Sequence, residues 1–336
     1  MYKTKLTLSE TEKAIKMVKD YFEKSLSEAL NLERVTAPLL VESGKGINDN
    51  LNGVEKPVSF EVKSLNNNVE IVQSLAKWKR LKIHALNTSP NFGIYTDMNA
   101  IRPDETLDYL HSLYVDQWDW EKRILKTNRN IEYLKEEVNK IYFAIKKTEN
   151  YISQLFPNLE KKLPNNIYFI HSEDLLKKYP SLNPKERENK ICSLYKAVFV
   201  IGIGNVLSNG LPHDSRSPDY DDWSTETAAG QYGLNGDLLI WSDVHQQAIE
   251  LSSMGIRVCS IGMQRQLNIT GNESWKKLHY HKLVLEEILP LSIGGGIGQS
   301  RLCLLLLQKY HIGEVQAGVW SEQTKKECIK NNINLL

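Results

Sequence analysis

Cysteine is scarce in this chain: four occur in 336 residues, at Cys192, Cys259, Cys303 and Cys328. No pair has zinc-finger or redox spacing, and a chain this long buries a core without disulfides, so free thiols in a reducing compartment are expected. Charge of one sign is lacking as well. Lys plus Arg is 42 and Asp plus Glu is 41, a formal net charge of +1. That balance removes the electrostatic reason to expect a nucleic-acid partner, though not a local basic patch. The longest apolar stretch, residues 302–307, is far too short to span a bilayer. The N-terminal MYKTKLTLSETEK has no apolar signal-peptide core. No membrane and a cytoplasmic location are therefore expected. With 41% apolar and 25% charged residues, no repeats and no obvious linker, the chain reads as an ordinary globular protein.

What is present is a mixture of helical and strand patterns. Ser9 and Glu12 read as a capping box, followed by Ile15, Val18, Phe22, Leu26 and Leu30 at helical spacing. A strand with Pro38 at its start and a Gly/Asn/Asp-rich loop over 43–51 come next. Residues 69–75 (VEIVQSL) read as a strand leading into the basic helix AKWKRLKIHAL. Two strands, GIYTDMNAI up to Arg102 and LHSLYVDQWDWE over 110–121, flank RPDET, whose turn chemistry suits an antiparallel connection. A long helix then carries Ile131, Leu134, Val138, Ile141, Ile145, Ile152 and Leu155 on one stripe. Short strands follow at 167–170, 197–204 and 236–241, with a helix starting at Pro184 under an Asn183 cap. Near the end, SIGGGIGQSRLCLLLLQKY reads as strand, glycine turn and helix. The sum is an α+β domain around an antiparallel sheet flanked by helices.

Four constellations carry chemistry. Arg102 with Asp104 and Glu105 ends a strand, and a planar guanidinium is the natural bidentate partner of carboxylate or phosphate. Taken alone it reads as a surface ion pair. In YVDQWDWE, alternation puts Gln117, Asp119 and Glu121 on one face and Trp118 and Trp120 on the other. The polar face suits an ammonium group or a metal ion; a solvent-facing edge would look the same. GGGIGQSR (294–301) is a glycine-rich helix start that can cradle phosphate, although it has neither the dinucleotide spacing nor a P-loop lysine. RSPDYDDWSTE (216–226) packs acids, Arg216, Tyr220 and Trp223 into one loop that reads as site-lining.

Together these pieces resemble the catalytic fold of class II aminoacyl-tRNA synthetases. Arg102-Pro103-Asp104 with its return strand is similar to the second signature of that fold, and Gly296-x-Gly298-x-x-Arg301 to the third. The N-terminal helix and Pro38 match the first, which implies a homodimer. Gln117, Asp119 and Glu121 match the Gln-x-Asp-x-Glu of the aspartate and asparagine enzymes, and Ser74 to Lys79 their Ser-x-x-x-x-Lys. Pro103 departs from the tRNA synthetases but fits a narrower family. GINDNLNG, SLAKWKR, PDYDDWST, GLNGD, ELSSMGIRV and HIGEVQAGVW look like stretches of ammonia-dependent asparagine synthetase, the aspartate–ammonia ligases, essentially end to end. The length leaves no room for a tRNA-reading module, and no cysteine precedes Cys192 to hydrolyse glutamine, so residues 1–336 are expected to form a single catalytic domain using free ammonia.

The resemblance implies a ligase that turns aspartate, ATP and ammonia into asparagine through β-aspartyl-AMP. Arg102 is expected at the β-carboxylate and α-phosphate, Arg301 at the γ-phosphate, with Arg216, Tyr220, Gly298 and Ser300 assisting the nucleotide. Asp237 and Glu250 are the expected Mg²⁺ ligands. Asp49, Asp119 and Gln117 would take the substrate ammonium, Lys79 its α-carboxylate, with Ser74 nearby. Asp221 is the expected acceptor of a proton from ammonium, and Asp49 the competitor. Three other readings stand beside this one: a tRNA-synthetase paralogue that forms an aminoacyl-adenylate for another acceptor, a catalytically dead regulatory module, and a purely structural use of the fold. The intact Arg102 and Arg301 argue against the second, and the site acids against the third.

Overall fold

The computed structural model describes residues 2–49 and 55–336, so the last two positions of the expected 43–51 loop lie outside the described residues. Helix α1 (Leu8–Leu30) is capped one turn-fraction earlier than the sequence pattern indicates: the box is Thr7 with Glu10 rather than Ser9 with Glu12. That start adds Thr11 to the buried stripe of Ala14, Val18, Phe22, Leu26 and Leu30, and Leu6 ahead of the cap is buried too. Asn31, in the left-handed region at φ 57°, ends α1 and turns the chain directly into β1 (Leu32–Arg34).

Pro38 opens no strand. It lies between β1 and β2 (Leu40–Glu42), as expected of a residue with no N–H for a ladder. Strands β2, β3 (Ser59–Val62) and β4 (Asn67–Ile71) form a small antiparallel sheet in the order β2-β4-β3. β4 ends at Ile71, so Gln73 and Ser74 sit in the connection to α2 (Ala76–Ala85). Next come the paired β5 (Gly93–Ile101) and β6 (Tyr114–Arg123). β6 starts later than the pattern indicates because the Asp108 carboxylate accepts the backbone N–H groups of Leu110 (2.6 Å) and His111 (2.8 Å), holding that stretch as a turn.

The chain continues through α3 (Ile131–Leu155), β7 (Tyr168–His171), α4 (Ser172–Lys178), α5 (Pro184–Tyr195) and β8 (Ala197–Ile201). α5 has the expected Asn183 cap, in a box with Glu186. A short pair, β9 (Glu226–Ala228) and β10 (Gln231–Tyr232), precedes β11 (Asn235–Ser242) and β12 (Gln247–Ile256). The rest is α6 (Ser260–Ile269), α7 (His279–Leu285), β13 (Ser292–Gly298), α8 (Gln299–Leu306) and α9 (Glu322–Lys330).

Eight strands form one sheet in the order β1-β5-β6-β13-β12-β11-β8-β7. Its interior is antiparallel as expected, but both edge pairs, β1 with β5 and β7 with β8, are parallel. Each of these pairs is joined by a long excursion containing helix, the only kind of connection that lets sequential strands run parallel. The two long helices α1 and α3 cover one face. There Trp118 and Trp120 of β6 are fully buried, and the Phe22 ring lies 4.7 Å from that of Trp118. The tryptophan side of the alternating strand seals the core, which turns its polar side to the opposite face. No helix among the described residues is long and apolar enough to cross a membrane.

Candidate active site

The polar face of the sheet carries a cavity of about 410 Å³. Arg102, Asp221, Asp49, Lys79, Gln117, Asp119, Ser74, Arg216, Tyr220, Ser300, Arg301, Gly298 and Glu250 all line it; of the expected site residues only Asp237 does not. Residues as far apart in the chain as Ser74 and Arg301, 227 positions from each other, are thus gathered by β4–α2, the β5–β6 hairpin and the β12–β13–α8 run.

The glycine run works differently from a phosphate loop. Gly294, Gly295 and Gly296 are extended strand residues facing Glu121, Trp120 and Asp119 of β6. A Cβ at Gly294 would overlap the Glu121 carboxylate and the Arg257 guanidinium, and one at Gly296 would overlap the Gln117 amide. These glycines leave room for the acidic and amide side chains of β6 to lie across β13. Gly298 is no turn either; it is the residue before α8, with φ −64°. Asp116 of β6 caps that helix, accepting the Ser300 N–H (3.1 Å) and its hydroxyl (2.8 Å), and so sets where Arg301 projects.

Two guanidiniums on the wall have no carboxylate partner among the described residues. Arg102 reaches only the Gln73 carbonyl, at 3.5 Å, and its Nε is buried with no partner. Arg301 donates to the Glu250 carbonyl at 3.0 Å. Other charges are already matched. Lys79, fully buried, is paired with Asp119 and donates to the Gly295 carbonyl at 2.8 Å; Asp119 Oδ2 is left without a partner. Burial pulls the Lys79 ammonium below its ordinary range, against the pull of Asp119. Asp221 is held by Arg257 and lies 3.8 Å from Arg216 Nε.

Arg257 has a role that no sequence motif signals. It is buried at the end of β12, donating to Glu121 at 2.9 to 3.2 Å as well as to Asp221. Glu121 thus belongs to a buried ion network rather than to a free polar face, and Ser292 donates to it at 2.6 Å. A second network lies close by: Asp219 accepts from Lys77 (2.9 Å) and faces His281 Nε2 (3.0 Å). Both arginine and lysine partners sit in stretches that carry the family resemblance, which was their only signal.

Asp237 points at Arg216, with Oδ1 2.5 Å from Nη2. Burial pushes its carboxyl up to about 7; Arg216 opposes this and the charge of Glu250 adds to it. Among the described residues no three His, Cys, Asp or Glu side chains are grouped to cage a metal.

An eight-stranded sheet with an arginine-bearing hairpin and a glycine strand opening a helix defines the catalytic fold of class II aminoacyl-tRNA synthetases. The asparaginyl-tRNA synthetase of Entamoeba histolytica, in complex with asparaginyl-adenylate, matches it with a TM-score of 0.68 at 11% identity, covering 92% of this chain and 66% of that one. The asparaginyl-tRNA synthetase of Pyrococcus horikoshii, complexed with asparaginyl-adenylate, matches with a TM-score of 0.67 at 14% identity, over 91% and 68%. The chain therefore spans about two-thirds of the length of these synthetases.

Within that class the family model for aspartate-ammonia ligase matches residues 9–332. The aspartate–ammonia ligase of Parabacteroides distasonis is 57% identical over 97% of this chain and 95% of its own length, and that of Bacteroides thetaiotaomicron 54% over 100% and 97%. The chain belongs to the aspartate–ammonia ligase family.

Proposed function

We propose that the chain, acting as one catalytic unit, makes asparagine from aspartate, ATP and ammonia through β-aspartyl-AMP, releasing AMP and pyrophosphate. The observation that carries the mechanism is the pair of guanidiniums, Arg102 and Arg301, that face the cavity with no carboxylate partner among the described residues. In the first step a β-carboxylate oxygen bonds to the α-phosphorus and the bond to pyrophosphate breaks. Negative charge is spread over the phosphates throughout, so catalysis is largely positioning and cationic stabilisation. Arg102 bridges the β-carboxylate and the α-phosphate, and Arg301 holds the γ-phosphate. Arg216, Tyr220, Ser300 and Gly298 complete the nucleotide side.

Asp237 and Glu250 fit a hard divalent cation. They are oxygen donors on neighbouring strands, one carboxyl made reluctant to ionise by burial and by the other. A site with few protein ligands is what Mg²⁺ uses when it arrives with phosphates. Bound there, Mg²⁺ would neutralise phosphate charge.

Aspartate itself takes the other end. Lys79 meets its α-carboxylate, Asp119 and Gln117 its ammonium, and Ser74 closes the side. In the second step the nitrogen of ammonia bonds to the carbonyl carbon of the β-carboxyl group, AMP leaves with the electron pair of the broken carbon–oxygen bond, and a carboxylate takes a proton from nitrogen. Asp221, held by Arg257 and 3.8 Å from Arg216 Nε, is the first candidate for that acceptor and Asp49 the competitor; both line the cavity.

Incubation with aspartate, ATP, Mg²⁺ and ammonium tests this: asparagine and AMP are expected, and ADP in place of AMP refutes the adenylate. We further propose a cytoplasmic homodimer built on α1 and the Pro38 segment; light scattering at micromolar concentration reads its mass, and a monomer there refutes it.

A further inference from the structure

Gln73 has no solvent exposure, yet it lines the cavity, and neither Oε1 nor Nε2 of its side-chain amide has a hydrogen-bond partner among the described residues. Buried polar atoms are nearly always satisfied, because a donor or acceptor stripped of water and left unmade weakens the fold. An amide with both ends unmet at the wall of a ligand cavity is suited to a ligand that both accepts and donates.

The position of Gln73 narrows that ligand. Its N–H donates to Asn48 Oδ1 at 2.9 Å, and its carbonyl lies 3.5 Å from Arg102 Nη2. The same Asn48 oxygen accepts the Asp49 N–H at 3.0 Å. Asn48 is itself fixed, its Nδ2 donating to Glu70 (3.0 Å) and to the Ile71 carbonyl (3.2 Å). One amide therefore ties Gln73 to Asp49, with Arg102 on the other side. Apart from Arg102, the nucleotide candidates come from the loop between β8 and β9 (Arg216, Tyr220), from the end of β13 and from α8; Gln73 comes from the β4–α2 connection, beside Ser74 and ahead of Lys79. This is the aspartate side, at the end where Arg102 meets the reacting carboxylate.

We propose that Gln73 forms the nitrogen subsite of the reaction. Its Nε2 donates to the side-chain carbonyl oxygen of the activated aspartate, and its Oε1 accepts an N–H from the incoming ammonia. The inference rests on the adenylate reading above. Gln73 exchanges no proton: nitrogen bonds to the carbonyl carbon of the activated β-carboxyl group, the electron pair of the breaking carbon–oxygen bond leaves with AMP, and the proton shed by nitrogen goes to a carboxylate of the cavity wall, Asp221 or Asp49. An acceptor oxygen and a neighbouring carboxylate hold a nucleophile rich in N–H donors more firmly than they hold water. The amide thereby favours amidation of the adenylate over its hydrolysis.

The test separates the two steps. Aspartate-dependent exchange of pyrophosphate into ATP reports adenylate formation, and the ratio of asparagine to AMP reports its capture by ammonia. Gln73→Leu removes both polar atoms at similar volume. It is expected to keep exchange within about threefold, to raise the ammonium KM about tenfold or more, and to release AMP in excess of asparagine. Gln73→Asn, which retracts the amide without adding charge, is expected to move the same quantities in the same direction and serves if the leucine variant does not fold. An unchanged ammonium KM with an unchanged asparagine-to-AMP ratio overturns the inference. So does a loss of exchange with the ammonium KM intact, which would place the amide in the first step. Absence of exchange in the parent enzyme would refute the adenylate itself, so the two failures are distinguishable.

Discussion

The cavity wall and the layer buried against it use the same residue types in opposite ways. On the wall, Arg102 and Arg301 point guanidiniums at open space with no carboxylate to answer them among the described residues. In the buried layer, Arg257 is enclosed by Glu121 and Asp221, and Asp219 by Lys77 and His281. An unanswered cation beside a cavity is maintained only if a ligand anion answers it. A fully answered, dehydrated charge holds neighbouring elements in place, and removing its partner leaves a costly lone ion. Substitutions in the buried layer should therefore act first on stability, and those on the wall first on catalysis.

The sharpest break of this contrast is Arg257→Met. It leaves two buried carboxylates without their cation, and a cost of about 3–5 kcal/mol in unfolding free energy is expected. Denaturant unfolding measures it. A stability loss below about 1 kcal/mol would mean the network is not structural.

Asp219→Asn is expected to come next, at about 3 kcal/mol near neutral pH, because Lys77 is then buried without an anion. This effect has a pH signature. Burial raises the Asp219 carboxyl, but Lys77 and His281 more than offset it and hold it well below the ordinary carboxylate range. A depressed acid contributes stability that is complete above its unfolded pKa, roughly 4, and is lost as pH falls through the folded value. The gap between parent and variant should thus be constant from pH 5 to 8 and narrow below about pH 4. A gap that stays constant at acid pH counts against the ion pair as its source.

On the wall, Arg102→Ala should cost about 3 kcal/mol in the barrier to adenylate formation, roughly two orders of magnitude in pyrophosphate exchange. Its unfolding midpoint should stay within about 0.5 kcal/mol of the parent, since no carboxylate loses a partner. Near-normal exchange would remove Arg102 from the reaction.

Much of this arrangement is legible in the sequence. The β5–β6 hairpin, the Asn183 cap and the division of β6 into tryptophan and polar faces follow from local chemistry, which a sequence displays. Partnership does not. Nothing in the spelling of Glu121 names Arg257 as its partner, because the two lie on strands brought together by the intervening β13. β12 was hidden for another reason: both its faces are largely buried, and a register shift against β11 between Leu238 and Leu239 breaks the period-two signal. The glycine run deceived by composition. Its residues look like a phosphate loop and act as a groove in a strand, a difference set by what lies across the sheet.

The smallest predicted effect tests a place where wall and buried layer overlap. Lys79 and Asp119 face the cavity yet are paired with each other, so both rules apply to them. As the proposed anchors for the two ends of the aspartate backbone, they would reach the incoming zwitterion from their existing contact: Asp119 keeps one oxygen unpartnered for an ammonium, and Lys79 carries three donors of which the structure engages two. Losing one charged contact is worth about 2 kcal/mol, so Asp119→Asn and Lys79→Ala should each raise the aspartate KM roughly thirtyfold and leave the ATP KM within about twofold. If the pair were only structural, both variants would lose stability and KM for aspartate would not move. If ATP binding fell while aspartate binding survived, the substrate would lie the other way round in the cavity, with these residues on the nucleotide side.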